Sequence, residues 1–174
     1  MLTWFPSPYP DELFYSVLCR YYLSSGIKEH NIVKRLLFGN RVGIKMATLY
    51  PNAAVHAVLS QLPEGVFDGH NVILHHTPFL YYTRMYPATE REALMDDLLQ
   101  GRSKTPTHLW RTFPKGDYAL RYCPLCVRED TQIYGEPYYH VEHQIPLSSV
   151  CVRHRCRLKQ IAVDNPRLAL NNRF

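Results

Sequence analysis

A two-residue gap that occurs twice constrains this chain more than any other feature. Cys123-Pro124-Leu125-Cys126 and Cys151-Val152-Arg153-His154 each place two metal-binding side chains three positions apart. That spacing lets both donors of a tight knuckle face one ion, and two knuckles supply four ligands. Three thiolates and one imidazole in a closed tetrahedral set suit zinc at structural sites, and a filled shell leaves no position for a substrate or an activated water. The pattern predicts one structural zinc ion on Cys123, Cys126, Cys151 and His154, with no catalysis at the metal. The competing reading is buried, unliganded thiols. The 24 residues between the knuckles fit a ribbon or treble-clef loop better than one small finger. Cys156 stays open as a replacement for His154, and His140 or His143 as ligands entering instead. A metal-dependent nuclease would need an open metal position flanked by carboxylates, and Glu129, Asp130 and Glu142 form no such pair in the sequence.

Five cysteines suit a disulfide framework poorly, and four of them crowd into the last third of the chain while Cys19 stands alone. Such a cluster binds metal more readily than it cross-links in a reducing compartment. No stretch approaches the roughly 18 to 20 apolar residues of a membrane span, and Asp11 and Glu12 stand where a secretory signal would be basic and then apolar. The expectation is a cytoplasmic protein with no membrane contact and no small-molecule substrate. A formal charge of +5 and a pI near 9.0 suit an acidic partner, nucleic acid being the commonest. Arg153, Arg155, Arg157 and Lys159 alternate with other residues and no acid interrupts them, so an extended segment there presents a basic stripe.

The first half reads as helical. Prolines at 6, 8 and 10 hold the start extended. From Asp11 onward Leu13, Phe14, Val17, Leu18, Tyr21 and Tyr22 draw one apolar stripe to Gly26, with Asp11 and Glu12 placed to favour the dipole of the first turn. Lys28 to Phe38 makes a second helix, with Ile32, Val33, Leu36 and Leu37 inward and Lys34 and Arg35 outward. The pair has the makings of a helix-turn-helix. A third helix opens at Pro51 and ends before Pro63, a broken one spans 71–85 around Pro78, and Thr89 with Glu92 has capping-box spacing ahead of Leu94, Met95, Leu98 and Leu99. Breakers through 102–117 read as a linker with a domain boundary near 116. The fold class is thus mainly α: a helical, helix-turn-helix-like domain over 1–115, then a small zinc-ribbon-like α+β module over 116–174.

Several segments together resemble the TniQ/TnsD family of transposon target-site selection proteins. They are Phe5-Pro6-Ser7-Pro8-Tyr9-Pro10-Asp11-Glu12-Leu13-Phe14-Tyr15-Ser16, Phe38-Gly39-Asn40-Arg41, Arg121-Tyr122-Cys123-Pro124-Leu125-Cys126, Tyr134-Gly135-Glu136-Pro137-Tyr138-Tyr139-His140, His143-Gln144-Ile145-Pro146 and Cys151-Val152-Arg153-His154. The family often has tryptophan at the position of Tyr139, proline at Val152 and glycine at Arg155. Many members continue further, which makes this chain a short member or an N-terminal portion. The resemblance implies a non-catalytic adaptor that binds target DNA, directly or through an RNA-guided CRISPR effector complex, and recruits a AAA+ transposition ATPase. A protein-only bridge between the effector complex and the ATPase is the alternative. Phosphate contacts are then expected from Arg153, Arg155, Arg157 and Lys159, with Lys34, Arg35, Arg41 and Lys45 as a second patch. Trp4 and Phe5, read as exposed aromatics, become a docking strip for the ATPase.

Overall fold

Apolar residues at helical spacing dominate the first hundred positions, and the computed structural model accordingly packs short helices there; it describes residues 2–39, 53–63, 65–102 and 119–162. Among the described residues the helices that come first are α1 (Phe14–Ser24), α2 (His30–Phe38), α3 (Ala53–Leu59), α4 (Gly69–His75), α5 (Phe79–Thr83) and α6 (Ala88–Leu99). Strand β1 (Ala119–Tyr122) follows, then α7 (Pro124–Tyr134), the short α8 (Val141–Gln144) and strand β2 (Lys159–Ala162). The strands pair antiparallel, Leu120 opposite Ile161 and Tyr122 opposite Lys159. The architecture is mainly α with a small two-stranded sheet beside a Cys/His cluster, as a zinc-ribbon-like module requires. The expected boundary near 116 and most of the expected linker lie outside the described residues, as do Pro51, Arg41 and Lys45.

Local signals fixed several elements. Gly26 (φ 69°) turns the chain between α1 and α2, and the helical pattern across 71–85 breaks at Pro78, separating α4 from α5. Asp68 caps α4 by accepting from the His70 N–H at 2.9 Å. Gly101 (φ 65°) closes α6 against His56, whose ring stands 2.5 Å from where a Cβ would lie and whose Nδ1 is 2.8 Å from the Leu99 carbonyl oxygen.

Elsewhere, distant partners overrode the local pattern. Helix α1 starts at Phe14, so Asp11 and Glu12 precede its first turn. It is buried on nearly every side at its start, Phe14 through Cys19: its apolar side chains share one core with residues of α2 to α6 and with Tyr139, whose N–H reaches Ser16 Oγ. On α2 only Val33, Leu37 and Phe38 are buried; Ile32 and Leu36, expected inward, are 46% and 39% exposed, since α3 covers the 33/37 face. No capping box forms on α6: Pro87 occupies the N-cap position, and Thr89 and Glu92 are exposed positions inside the helix. Phe5 is buried against Phe14, Tyr21 and Phe67, which corrects its expected exposure; Trp4 stacks on Tyr21 and stays half exposed.

A long-range seam joins the opening motif to the segment after α7. Glu12 bridges to His140, the Leu13 N–H donates to the Tyr139 carbonyl at 2.7 Å, and the Val141 N–H donates to the Asp11 carbonyl at 2.9 Å. The Tyr139 N–H donates to Ser16 Oγ (3.2 Å) and the Tyr138 hydroxyl to the Pro10 carbonyl (3.0 Å). Arg20 closes the seam. It donates to Glu12 Oε2 at 2.9 Å, to Glu136 Oε1 at 2.7 Å and to the Ser7 carbonyl at 3.1 Å, with its guanidinium 3.7 Å above the Tyr9 ring. Tyr139 and Val141 thereby join the same apolar core as Leu13 and Leu18.

Candidate metal centre

Each knuckle is built by its neighbours. Strand β1 delivers Cys123 to the N-cap of α7, where Pro124 fits the first helical position because it has no N–H to leave unpaired. The Cys126 N–H points back at Cys123 Sγ, 3.5 Å away. In the second knuckle the Arg155 N–H donates to the Cys151 carbonyl at 2.8 Å, and the Cys151 N–H to the Cys156 carbonyl at 2.9 Å. Arg155 adopts a left-handed backbone (φ 52°) to close that turn. The isolated Val150–Arg157 bridge leads into β2, and pairing of β2 with β1 sets the two knuckles side by side.

The four predicted donors converge. Cys123, Cys126 and Cys151 are buried and His154 partly so, with one donor atom of each within 4.8 Å of the others. His154 Nδ1 lies 3.4 Å from Cys123 Sγ, 3.3 Å from Cys126 Sγ and 3.7 Å from Cys151 Sγ, while Cys126 and Cys151 Sγ stand 3.8 Å apart. A tetrahedral zinc with metal–sulfur bonds of about 2.3 Å and metal–nitrogen bonds of about 2.0 Å would separate its sulfurs by roughly 3.8 Å and sulfur from nitrogen by roughly 3.5 Å. The donor set could therefore hold a metal ion, and its chemistry and spacing are compatible with zinc. Burial, then the neighbouring Cys151 and Cys123, push the Cys126 thiol up, whereas the Cys123 thiol, despite its burial, is lowered by hydrogen bonds from the Cys126 N–H and Cys156.

The alternatives sort themselves by partner. Cys156 Sγ is 3.3 Å from Cys123 Sγ but does not belong to the convergent set. His140 is occupied elsewhere, Nε2 against Asp130 Oδ2 at 2.9 Å and Nδ1 near Asp11 Oδ2 at 3.6 Å. Burial pulls the His140 pKa down, but the carboxylates of Asp11 and Asp130 outweigh it and hold it at about 9. His143 is buried with Nε2 at 3.9 Å from Cys126 Sγ and 3.4 Å from Glu142 Oε1, and with Glu142 and Cys151 it makes a second, three-membered donor group sharing one sulfur.

Glu129 was missed in the sequence. Its Oε1 lies 2.8 Å from His154 Nε2, the nitrogen facing away from the sulfurs, and its Oε2 accepts from Arg153 at 2.8 Å. A carboxylate on the outer nitrogen of a metal-binding imidazole fixes its tautomer and ring orientation. That hydrogen bond to Glu129 is the main reason the His154 pKa is raised. A signal was available: Glu129 is three residues after Cys126 on α7, one turn along the face that carries a donor.

Among the proposed phosphate contacts, Arg153, Arg155, Arg157 and Lys159 are all exposed while His154, Cys156 and Leu158 between them are less so, but residues 152–154 form a turn and Arg155 is left-handed, so the extended segment expected here is not formed before Arg157. Only the last of these positions lies in β2. On α2, Arg35 is exposed and Lys34 half-buried. Among the described residues no helix is long and apolar enough to cross a membrane.

Comparison with known proteins agrees with this picture. The chain is 28% identical over 154 residues to the transposon Tn7 transposition protein TnsD of Escherichia coli, an alignment covering 86% of this chain and 30% of that protein, so the chain spans under a third of its relative's length. The sequence model of the TniQ family matches residues 3–158, from the opening strap through both knuckles to the start of β2, and on that match the chain belongs to the TniQ family.

Proposed function

We propose that this chain is a target-selection adaptor of a bacterial transposon, working in the cytoplasm without catalysis of its own. It engages target DNA, an RNA-guided CRISPR effector complex or both, and recruits a AAA+ transposition ATPase. Family membership over residues 3–158 carries the reading, and the site's chemistry supports it. One zinc ion on Cys123, Cys126, Cys151 and His154 would be structural, since four protein donors complete its shell. The ion would fix the angle between the knuckles and hold the stripe of Arg153, Arg155, Arg157 and Lys159 in place for phosphate.

Binding of random duplex DNA at several salt concentrations tests this. Four phosphate contacts give a log–log slope of roughly −3.6, and replacing each stripe residue by glutamate flattens it by about one unit or more. A complex indifferent to salt would overturn the DNA reading. Arg35 and Lys34 serve as the comparison patch in the same experiment.

The protein-only bridge has one observation in its favour: Arg153 is already held by Glu129, which leaves fewer unpaired cations for DNA. Trp4, half exposed on Tyr21, is the docking anchor for the ATPase. Because Leu2 and Phe5 are buried, Trp4→Ala is a cleaner test than removing the segment. Recruitment should fall at least tenfold in pull-down with the ATPase; full recruitment would reject the docking role.

A further inference from the structure

We infer that Glu129 is a positioning residue that couples the metal centre to the basic stripe, so that anion binding at Arg153 and metal binding at His154 reinforce one another. The two oxygens of this single carboxylate are divided between the two sites. Oε1 faces His154 Nε2 at 2.8 Å and Oε2 faces Arg153 at 2.8 Å. His154 Nδ1 faces the sulfurs of Cys123, Cys126 and Cys151, so Nε2 carries the proton and donates it in a hydrogen bond to Glu129.

The sign of the coupling follows from the shared charge. A cation on Nδ1 polarises the Nε2–H and draws Glu129 toward the imidazole, which loosens its hold on Arg153. An anion that takes Arg153 away leaves the full carboxylate charge facing Nε2, which makes Nδ1 a more basic ligand. Linkage requires both statements to have the same magnitude. The side chains of Glu129 and Arg153 are 41% and 50% exposed, so the pair can open without disturbing the core. Breaking it carries no burial penalty for either partner. The sulfurs and β1 hold the rest of the site whether or not Arg153 is paired.

This inference rests on the zinc and phosphate readings above, and the experiment separates their failures. Zinc affinity is measured by competition with a chromogenic chelator, tetrahedral geometry by the visible bands of the cobalt-substituted protein, and anion affinity by anisotropy of labelled random duplex DNA. These are applied to the wild type, Glu129→Gln, Arg153→Ala and the double variant. Glu129→Gln should bind zinc roughly 10- to 100-fold more weakly and DNA about two- to fivefold more tightly, because Arg153 is released. In the Arg153→Ala background the same replacement should still weaken zinc binding but no longer improve DNA binding. A structural role alone would move both affinities down together, and a general charge effect would improve DNA binding equally in both backgrounds; either result overturns the coupling. If the wild type holds no zinc or no DNA, the underlying reading fails and the coupling with it. Circular dichroism of each variant confirms that the fold is intact before affinities are compared.

Discussion

Between Leu13 and Leu98 the molecule buries large side chains almost completely, Phe14, Leu18, Leu37, Ile73 and Phe79 all at 1% exposure or less, whereas around the knuckles the buried cluster is Cys123, Cys126 and Cys151 with Cys156 and Leu158 against it. Each fully buried aliphatic or aromatic side chain stabilises by about 1.5 to 3 kcal/mol. Three thiols and their few apolar neighbours supply far less. The helical half has apolar burial enough to hold itself together, and the knuckles are the part that an ion between the sulfurs would stabilise. Equal burial on paper thus corresponds to different sources of stability, and the seam from Tyr9–Ser16 to Glu136–Val141 is where one half can support the other.

Removing the proposed metal ion is the harshest way to separate the two. Structural zinc sites contribute on the order of 10 to 16 kcal/mol of binding free energy at neutral pH. A strong chelator, or Cys123→Ser with Cys151→Ser, should erase hydrogen-exchange protection in β1, α7 and β2 while α1 and α4 keep theirs. If protection survives throughout, apolar packing alone holds the knuckles and the contrast is wrong.

Cutting the seam should have the next largest effect. Among the described residues Arg20 is the cation that pairs with the fully buried Glu12, and it also reaches Glu136. Arg20→Ala leaves that carboxylate uncompensated and is expected to cost about 3 to 5 kcal/mol in denaturant unfolding. Zinc stoichiometry should not change, because no donor touches Arg20. A loss below about 1 kcal/mol would mean that backbone pairing, from Leu13 to Tyr139 and from Val141 to Asp11, carries the seam by itself.

The seam also has a pH signature. His140 is faced by Asp11, Asp130 and, more distantly, by His143 and the Tyr138 ring. Its pKa rises from 6.5 to about 9 on folding, so the stabilisation is complete below 6.5 and is lost as pH climbs through 9. The loss is on the order of 3 kcal/mol. Glu12 acts in a lower window: burial, against the pull of Arg20, raises its pKa from 4.5 to about 7, so its carboxyl disfavours folding increasingly between those values. Thermal midpoints should therefore drop across the alkaline window in the wild type and stay level in His140→Gln. Parallel curves would show that His140 does not titrate with folding.

These features were unevenly legible in the sequence. The knuckles could be read because donor type and spacing are a local statement about one ion. The helices over 14–38 and 69–99 could be read because apolar periodicity is also local. Glu12 could not. A carboxylate two residues before a helix looks like a dipole partner, and only the approach of Arg20, Glu136 and His140 makes it a buried anchor. The same holds for Phe5, which local composition leaves exposed and which Phe67 covers. Tyr138, Tyr139 and His140 stand between the knuckles in the sequence yet serve the seam, with contacts more than 120 positions away.

Arg155 gives the smallest expected effect and the sharpest comparison of the two roles assigned to the knuckles. Its backbone lies in the left-handed region, φ 52°, with its N–H closing the turn onto Cys151. That conformation costs a non-glycine residue about 1 to 2 kcal/mol, while glycine loses about 0.5 to 1 kcal/mol of extra chain entropy on folding. Arg155→Gly should thus raise the unfolding free energy of the metal-loaded protein by about 1 kcal/mol or less. The same change removes one exposed cation from the stripe and should flatten the salt dependence of DNA binding by about one unit. Stability up with DNA affinity down would mean that arginine is kept at a strained position for its charge; stability down instead would mean that its side chain, and not the turn, holds the knuckle closed.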